Sequence, residues 1–284
     1  MFISAFFYLK IAQNIVEYGN STFNNITLTN GYHPLWMLVL LAPAKLFSFD
    51  NNVFLIFVIL LQIIFAIISI NYLFKLLVDD FQKRFLYLII PLLLIYLIPI
   101  GTLGSELHLN LMLQIIVIYL FWKAEYKNYY VVGFLLALIF LVRLDNVFFI
   151  SVFGIYLLMT IPKKDRFNAF IKIGLIFILT IAPYFISNLH YFGALVPISG
   201  KIKSTFPHPV FNFGALGSFG TLIVFLNIII LFYSLKNRKD RLMKLTLIIS
   251  SVCLLHSSYT VLFTNHHTFW SWYYSSGYLN ILLL

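Results

Sequence analysis

The chain consists largely of long apolar runs separated by short polar stretches. The run Val53–Phe74 contains no ionisable side chain. As a helix it would rise about 33 Å, which is enough to cross the ~30 Å hydrocarbon layer of a membrane. Because backbone groups in lipid must be satisfied within their own segment, such continuous runs predict helices. The runs lack the period-two alternation of membrane barrel strands.

The same pattern recurs along the chain. Clear runs lie at 53–74, 86–103, 107–122, 129–142, 146–162, 172–189, 219–235 and 245–263, and a last run begins near Tyr273. A shorter run, Pro34–Phe47, contains Pro43 and Lys45. The sequence therefore predicts an all-α integral membrane protein, a polytopic helical bundle of about nine spans. No composition shift divides it, so residues 1–284 are expected to form a single transmembrane domain.

Composition and charge exclude several classes of protein. Apolar residues make up 62% of the chain and charged residues 10%, whereas a soluble domain carries about 25% charged residues. The formal net charge is +10, but no basic patch alternates with aromatic side chains, so a nucleic-acid partner is not expected. The single cysteine, Cys253, excludes a disulfide framework.

Basic residues are concentrated in alternate loops, which predicts the topology of a multi-pass cell-membrane protein. The basic loops contain Lys75, Lys83, Arg84; Lys123, Lys127; Lys163, Lys164, Arg166; and Lys236, Arg238, Lys239, Arg241, Lys244. The loops between them, at 104–108, 143–145, 190–218 and 264–272, carry few such charges. By the positive-inside rule the basic loops are cytoplasmic, and the others are external.

The first residues predict an interfacial helix in an external loop. Over residues 5–17 polar side chains lie on one helical face and apolar ones cover the rest, as in helices that lie in the membrane interface. The side of the membrane on which residues 1–33 lie depends on the run Pro34–Phe47. If this run crossed the membrane, residues 1–33 would be cytoplasmic. That run would rise only about 21 Å. Its interior proline, Pro43, is expected to break or kink it, so we favour a re-entrant or interfacial run.

Few ionisable residues lie on the predicted external side. Glu106, in the loop from Gly104 to His108, is a candidate base for a substrate hydroxyl. Its alternative role is that of a solvated loop acid. Arg143 could hold a phosphate with Asp145 orienting it, or the two could form a local ion pair at the interface.

Two lysines of the loop 192–204 are the third candidate. Lys201 and Lys203 follow the turn residues Pro197, Ser199 and Gly200. They could neutralise a lipid phosphate, or they could extend toward ordinary phospholipid headgroups.

The segments AFFYLKIAQNIVEYG at 5–19 and TNGYHPLW at 29–36 resemble the first external loop of prokaryotic membrane glycosyltransferases of the GT-C class. These are the relatives of arabinosyl- and mannosyltransferases that use polyprenyl-phosphate sugars. Gly104-Ser105-Glu106, Arg143-Leu144-Asp145 and Pro197–Lys203 follow in the order such proteins show.

The resemblance implies sugar transfer from a lipid-linked donor on the external face, to a glycan, lipid or protein acceptor. Glu106 then remains as the candidate catalytic carboxylate, although a carboxylate in this second loop could instead only assist a metal or an acceptor, and Lys201, Lys203 and Arg143 are the candidates that would bind the donor phosphate. His33, His108 and Asp145 would support them. No protein ligand set for a metal is predicted, although positive groups or a divalent metal could stabilise the departing phosphate.

The chain departs from the family pattern at one place. Ile3 and Ser4 stand where such proteins carry an acidic residue. We therefore expect a piece of a longer protein, or a diverged copy, that lacks the usual base and could be inactive as it stands. A polytopic transporter or flippase, and a non-catalytic membrane subunit, are the alternative functions. The absence of a repeat and of charges at span centres weighs against a transporter.

Overall fold

A computed structural model describes residues 3–47, 50–77, 104–122, 128–265 and 271–283. Within these ranges the chain is helical and contains no β-strand. The α-helices are α1 (Ile3–Tyr18), α2 (Pro34–Phe47), α3 (Asn51–Leu77), α4 (Leu107–Trp122), α5 (Tyr129–Val142), α6 (Val147–Thr160), α7 (Lys163–Phe192), α8 (Ile198–Lys203), α9 (Gly217–Lys236), α10 (Arg241–Phe263) and α11 (Ser275–Leu283). Short 3-10 turns occupy Leu144–Asn146, Phe213–Leu216 and Ser271–Tyr274.

Four of these helices are long and apolar enough to cross a membrane: Asn51–Leu76, Lys163–Phe192, Phe213–Lys236 and Leu242–Phe263. They indicate a membrane protein. Four shorter apolar helices occupy Pro34–Phe47, Leu107–Phe121, Tyr129–Val142 and Leu144–Thr160. The count of about nine spans stays a prediction. The predicted span 86–103 and the basic residues Lys83, Arg84, Lys123 and Lys127 lie outside the described residues.

Helix α7 is longer than the apolar run that predicted it. It begins at Lys163, not at residue 172, so Lys163, Lys164 and Arg166 belong to its first turns and not to a loop. Pro162 precedes the helix and its carbonyl accepts a hydrogen bond from Asp165 N. The carboxylate of Asp165 lies in the first turn, where negative charge is favourable. These two interactions at Pro162 and Asp165 stabilise a helix start that lies before the apolar part of α7.

Helix α2 continues through Pro43 to Phe47, so the proline does not break the helix, and a kink at Pro43 stays a prediction. The side chains of Trp36, Leu40 and Ala44, spaced four residues apart, are fully buried. One packed face therefore runs past the proline and holds the helix together, although Pro43 donates no backbone hydrogen bond.

The described helices form two compact units, of which the first comprises residues 1–144 and 172–201. Helix α3 packs on α4, and α2 contacts α1, α3 and α5. At Gly133 of α5 the backbone of α7 comes so close that a Cβ there would lie 2.5 Å from the carbonyl oxygen of Ile173. Glycine at this position permits the close approach of the two helices, as is common in membrane proteins.

Gly133→Ala is expected to lower the free energy of unfolding by about 1–3 kcal/mol, since the added methyl must displace backbone atoms of Ile173. The matched control is Gly174→Ala in α7, where a Cβ would meet nothing within 4 Å. Unfolding in detergent measures both variants. Equal stability of the two would contradict the close packing of α5 on α7.

The second unit comprises residues 145–171 and 202–284. Helix α10 packs on α6, α9 and α11. A buried polar cluster joins three of these helices, because Asn280 Nδ2 donates to Asn227 Oδ1 at 2.8 Å and to Ser250 Oγ at 2.6 Å. Such hydrogen bonds between apolar helices fix which faces pack together.

Candidate functional site

The site in the first unit is built on the loop Gly104–Glu106, which leads into α4. Gly104 has a φ of 79°, in the left-handed region where glycine has no steric penalty. Its carbonyl accepts a hydrogen bond from Trp36 Nε1 at 3.0 Å. Gln62 of α3 accepts from Gly104 N at 3.0 Å and donates to Ser105 O at 2.8 Å. The loop is thereby fixed to α2 and α3.

Glu106 pairs with Arg143 inside the first unit. Arg143 Nη1 donates to Glu106 Oε1 at 2.6 Å, and the two side chains are 1% and 3% exposed. Glu106 directly precedes α4 and Arg143 directly follows α5. A carboxylate at a helix start and a guanidinium at a helix end both have favourable interactions with the helix dipoles. The pair therefore joins two helix ends that lie far apart in sequence.

His33 is the third member of the group. Its Nε2 lies 3.7 Å from Glu106 Oε1, and its side chain is 23% exposed. Its carbonyl accepts the first helical hydrogen bond of α2 from Met37 N, and Pro34 takes the first helical position, where its fixed φ is suitable. The structure thus brings together three residues predicted for the site, each from a different loop.

The loop that carries His33 is held by side-chain hydrogen bonds. Asn14, on the polar face of α1, is fully buried and donates to the carbonyls of Thr22 and Phe23. Ser21 Oγ donates to Tyr32 Oη at 2.9 Å. Burial raises the pKa of Tyr32, and the Ser21 hydrogen bond lowers it by less. Tyr32 is thus a neutral phenol at ordinary pH, and the loop next to Glu106 gains no second negative charge.

The two predicted phosphate-binding lysines belong to different units. Both lie on the short helix α8, inside the segment 192–204. Lys201 belongs to the first unit and is exposed. In the same unit, Asn30 Oδ1 accepts a hydrogen bond from Ile198 N at 3.0 Å. This bond joins the start of α8 to the loop between α1 and α2. Lys203 belongs to the second unit, where its Nζ donates to Tyr273 Oη at 3.0 Å.

The other two supporting residues lie apart from this group. His108 is in the first turn of α4 and is 9% exposed, with a buried Nδ1 that has no hydrogen-bond partner. Asp145 begins the described part of the second unit, and its Oδ2 lies 3.7 Å from Nε2 of His256.

Sequence reasoning missed Gln62 and His256. Each is a polar residue within an apolar run, Gln62 in α3 and His256 in α10. That placement was the available signal, since polar groups inside membrane segments are costly and usually have a specific partner.

The described ranges contain no group of three or more His, Cys, Asp or Glu side chains that could hold a metal ion. The first unit instead offers a buried carboxylate and guanidinium next to a partly exposed imidazole. A guanidinium can bind a phosphate bidentately, and a carboxylate can accept a proton from a hydroxyl.

In comparisons with known proteins, no family model, curated protein or solved structure matches the chain.

Proposed function

We propose that the protein is a membrane glycosyltransferase that moves a sugar from a polyprenyl-phosphate donor to an acceptor hydroxyl on the external face. The observation that carries this is the meeting of His33, Glu106 and Arg143, which come from three separate loops. By the charge pattern these loops share the external side. A carboxylate and a guanidinium are the groups needed to accept a proton and to bind a phosphate.

The ion pair between Glu106 and Arg143 implies that the donor binds before Glu106 accepts a proton. While Arg143 donates to Glu106 Oε1, that oxygen is occupied by the guanidinium. The phosphodiester of the donor offers two equivalent charged oxygens as a bidentate partner, so it competes with Glu106 for Arg143. Binding of the donor then releases Glu106 to meet the acceptor.

In the transfer step, the acceptor hydroxyl gives its proton to Glu106 and its oxygen forms a bond to the anomeric carbon. The bond from that carbon to the phosphate oxygen breaks, and its electron pair leaves with the polyprenyl phosphate. Arg143 and Lys201 stabilise the negative charge of the leaving group. We assign proton transfer to Glu106 because Ile3 and Ser4, which stand where the resemblance would put an acid, have no carboxylate.

The experiment that tests this function is a transfer assay. The purified protein in lipid nanodiscs is incubated with a polyprenyl-phosphate sugar that is radiolabelled in the sugar. Label that moves to a water-soluble glycan acceptor counts as transfer, and label released as free sugar is measured separately.

Lys201→Ala is expected to raise the donor concentration needed for half-maximal transfer by about fivefold, since it removes one cation near the lipid phosphate. Lys10→Ala, an exposed lysine of α1, is the control and should leave the value unchanged. A lower protein yield with an unchanged donor requirement would contradict phosphate binding and would indicate lysines that contact ordinary headgroups.

A further inference from the structure

The second unit contains an ionisable pair of its own. Asp145 lies in the 3-10 turn Leu144–Asn146 that leads into α6, and His256 lies in α10. His256 is seven residues from the end of α10 at Phe263, which corresponds to a depth of about 10 Å along the helix. A histidine inside an apolar helix with a carboxylate facing it is uncommon, and such residues usually mark a ligand or proton path.

The pair lines a small, partly open pocket. Asn146, Phe148, Ser275 and Ser276 complete its polar and aromatic wall together with Asp145 and His256. The side chains of His256 and Asp145 are 15% and 21% exposed, so both are within reach of a ligand that enters from outside. The pocket has room for a group of about the size of a water molecule or a hydroxyl.

Aromatic rings shape the wall beside the pair. The ring of Phe148 stacks on the imidazole of His256, with centroids 5.1 Å apart and planes inclined by 20°. Tyr259, one turn further along α10, contacts Phe148 and shares a hydrogen bond of 2.9 Å with Ser204 Oγ. The imidazole is therefore held in place, and the surface next to the pocket is aromatic.

We propose that this pocket binds one hydroxyl group of a carbohydrate, with the rest of the sugar ring outside it against the aromatic wall. The hydroxyl donates to the carboxylate of Asp145, and its oxygen accepts from His256 or from a serine hydroxyl. Asp145 and His256 are thus a carbohydrate-binding pair in the second unit, separate from the carboxylate and guanidinium of the first unit. This inference does not depend on sugar transfer or on a lipid-linked donor.

The chemistry of the wall favours a hydroxyl over other small ligands. Asp145 would repel a phosphate. For a divalent cation the wall has only one charged ligand, the Asp145 carboxylate, beside one imidazole and neutral amide and hydroxyl groups, and the part of the chain that the structure describes has no larger cluster of His, Cys, Asp or Glu. A hydroxyl can both donate to a carboxylate and accept from an imidazole or a serine hydroxyl. Sugars also present apolar C–H faces, which pack on aromatic rings.

The test is saturation-transfer NMR on the protein in nanodiscs, with methyl β-glucoside and methyl β-arabinoside as ligands and no donor present. The native protein should transfer saturation to at least one glycoside. It should not do so to the fully O-methylated glucoside, which has no hydroxyl to donate. Asp145→Asn should weaken binding about tenfold, because the hydrogen bond to a charged carboxylate becomes a weaker one to a neutral amide.

His256→Gln is the second variant and should also weaken glycoside binding. The two variants are independent, so the inference can still be tested if one of them does not fold. His208→Gln, an exposed histidine in a loop of the same unit, is the matched control and should bind as the native protein does. Equal saturation transfer to the O-methylated sugar, no transfer to either glycoside, or native binding by both folded variants would each overturn the inference. All three outcomes are read without any transfer reaction, so they are independent of glycosyltransferase activity.

Discussion

Arg143→Met is expected to lower the free energy of unfolding by about 3–5 kcal/mol, because it leaves the Glu106 carboxylate buried without its cation. Both side chains are almost completely buried and the hydrogen bond between them is 2.6 Å long. Methionine has a length and shape close to those of the arginine stem, so the missing charge accounts for most of the effect. Unfolding of the protein in detergent, followed by circular dichroism, measures it.

Two further variants make the result specific. Arg238→Met, at an exposed arginine of the second unit, should change the free energy of unfolding by less than about 0.5 kcal/mol. The double variant Glu106→Leu with Arg143→Met removes both charges and should recover most of the lost stability, as replacement of buried ion pairs by apolar residues generally does. If Arg143→Met were as stable as Arg238→Met, the pair would not be buried as described.

Glu106→Gln is expected to reduce the rate of sugar transfer by about 10²–10⁴-fold, the usual contribution of a positioned proton acceptor. Glutamine keeps the shape of the side chain and its carbonyl can still accept a hydrogen bond from Arg143, but it cannot take up a proton. The rate is expressed per folded molecule, with the unfolding midpoint measured in parallel, so that loss of the buried charge is not mistaken for loss of catalysis.

Glu17→Gln is the control for this substitution, since Glu17 is an exposed acid of α1 in the same unit. It should transfer sugar at the native rate. Unchanged turnover in Glu106→Gln would show that Glu106 is only the structural partner of Arg143. The double variant Glu106→Leu with Arg143→Met separates the structural role of the pair from its catalytic role, because it should be stable and yet inactive in sugar transfer.

Much of the helical pattern could be predicted from hydropathy alone. The bounds of α5 and the starts of α2 and α4 agree with their apolar runs to the residue, since a polar or turn-forming residue stands at each of these ends. The start of α7 could not be read in this way, because its first turns are polar and are fixed by Pro162 and Asp165. Hydropathy detects the apolar part of a helix, whereas capping decides where the helix begins.

The candidate site was predictable only as a set of residues. Spacing favoured Asp145 as the partner of Arg143, since the two are neighbours in sequence. The structure shows a hydrogen bond from Arg143 to Glu106, which lies 37 positions earlier. Gln62 and Trp36, which hold the Glu106 loop, come from two further helices. Contacts between helices depend on tertiary packing, which one sequence does not disclose.

The central claim is that the protein transfers sugar from a lipid-linked phosphate donor. Its most direct test is the nanodisc assay with equal concentrations of a polyprenyl-phosphate sugar and the corresponding nucleotide sugar. We expect label to reach the acceptor from the polyprenyl-phosphate sugar only, and we expect unlabelled polyprenyl phosphate, but not polyprenol, to inhibit it. Transfer from the nucleotide sugar, or no transfer from the lipid-linked sugar by folded native protein, would contradict the claim.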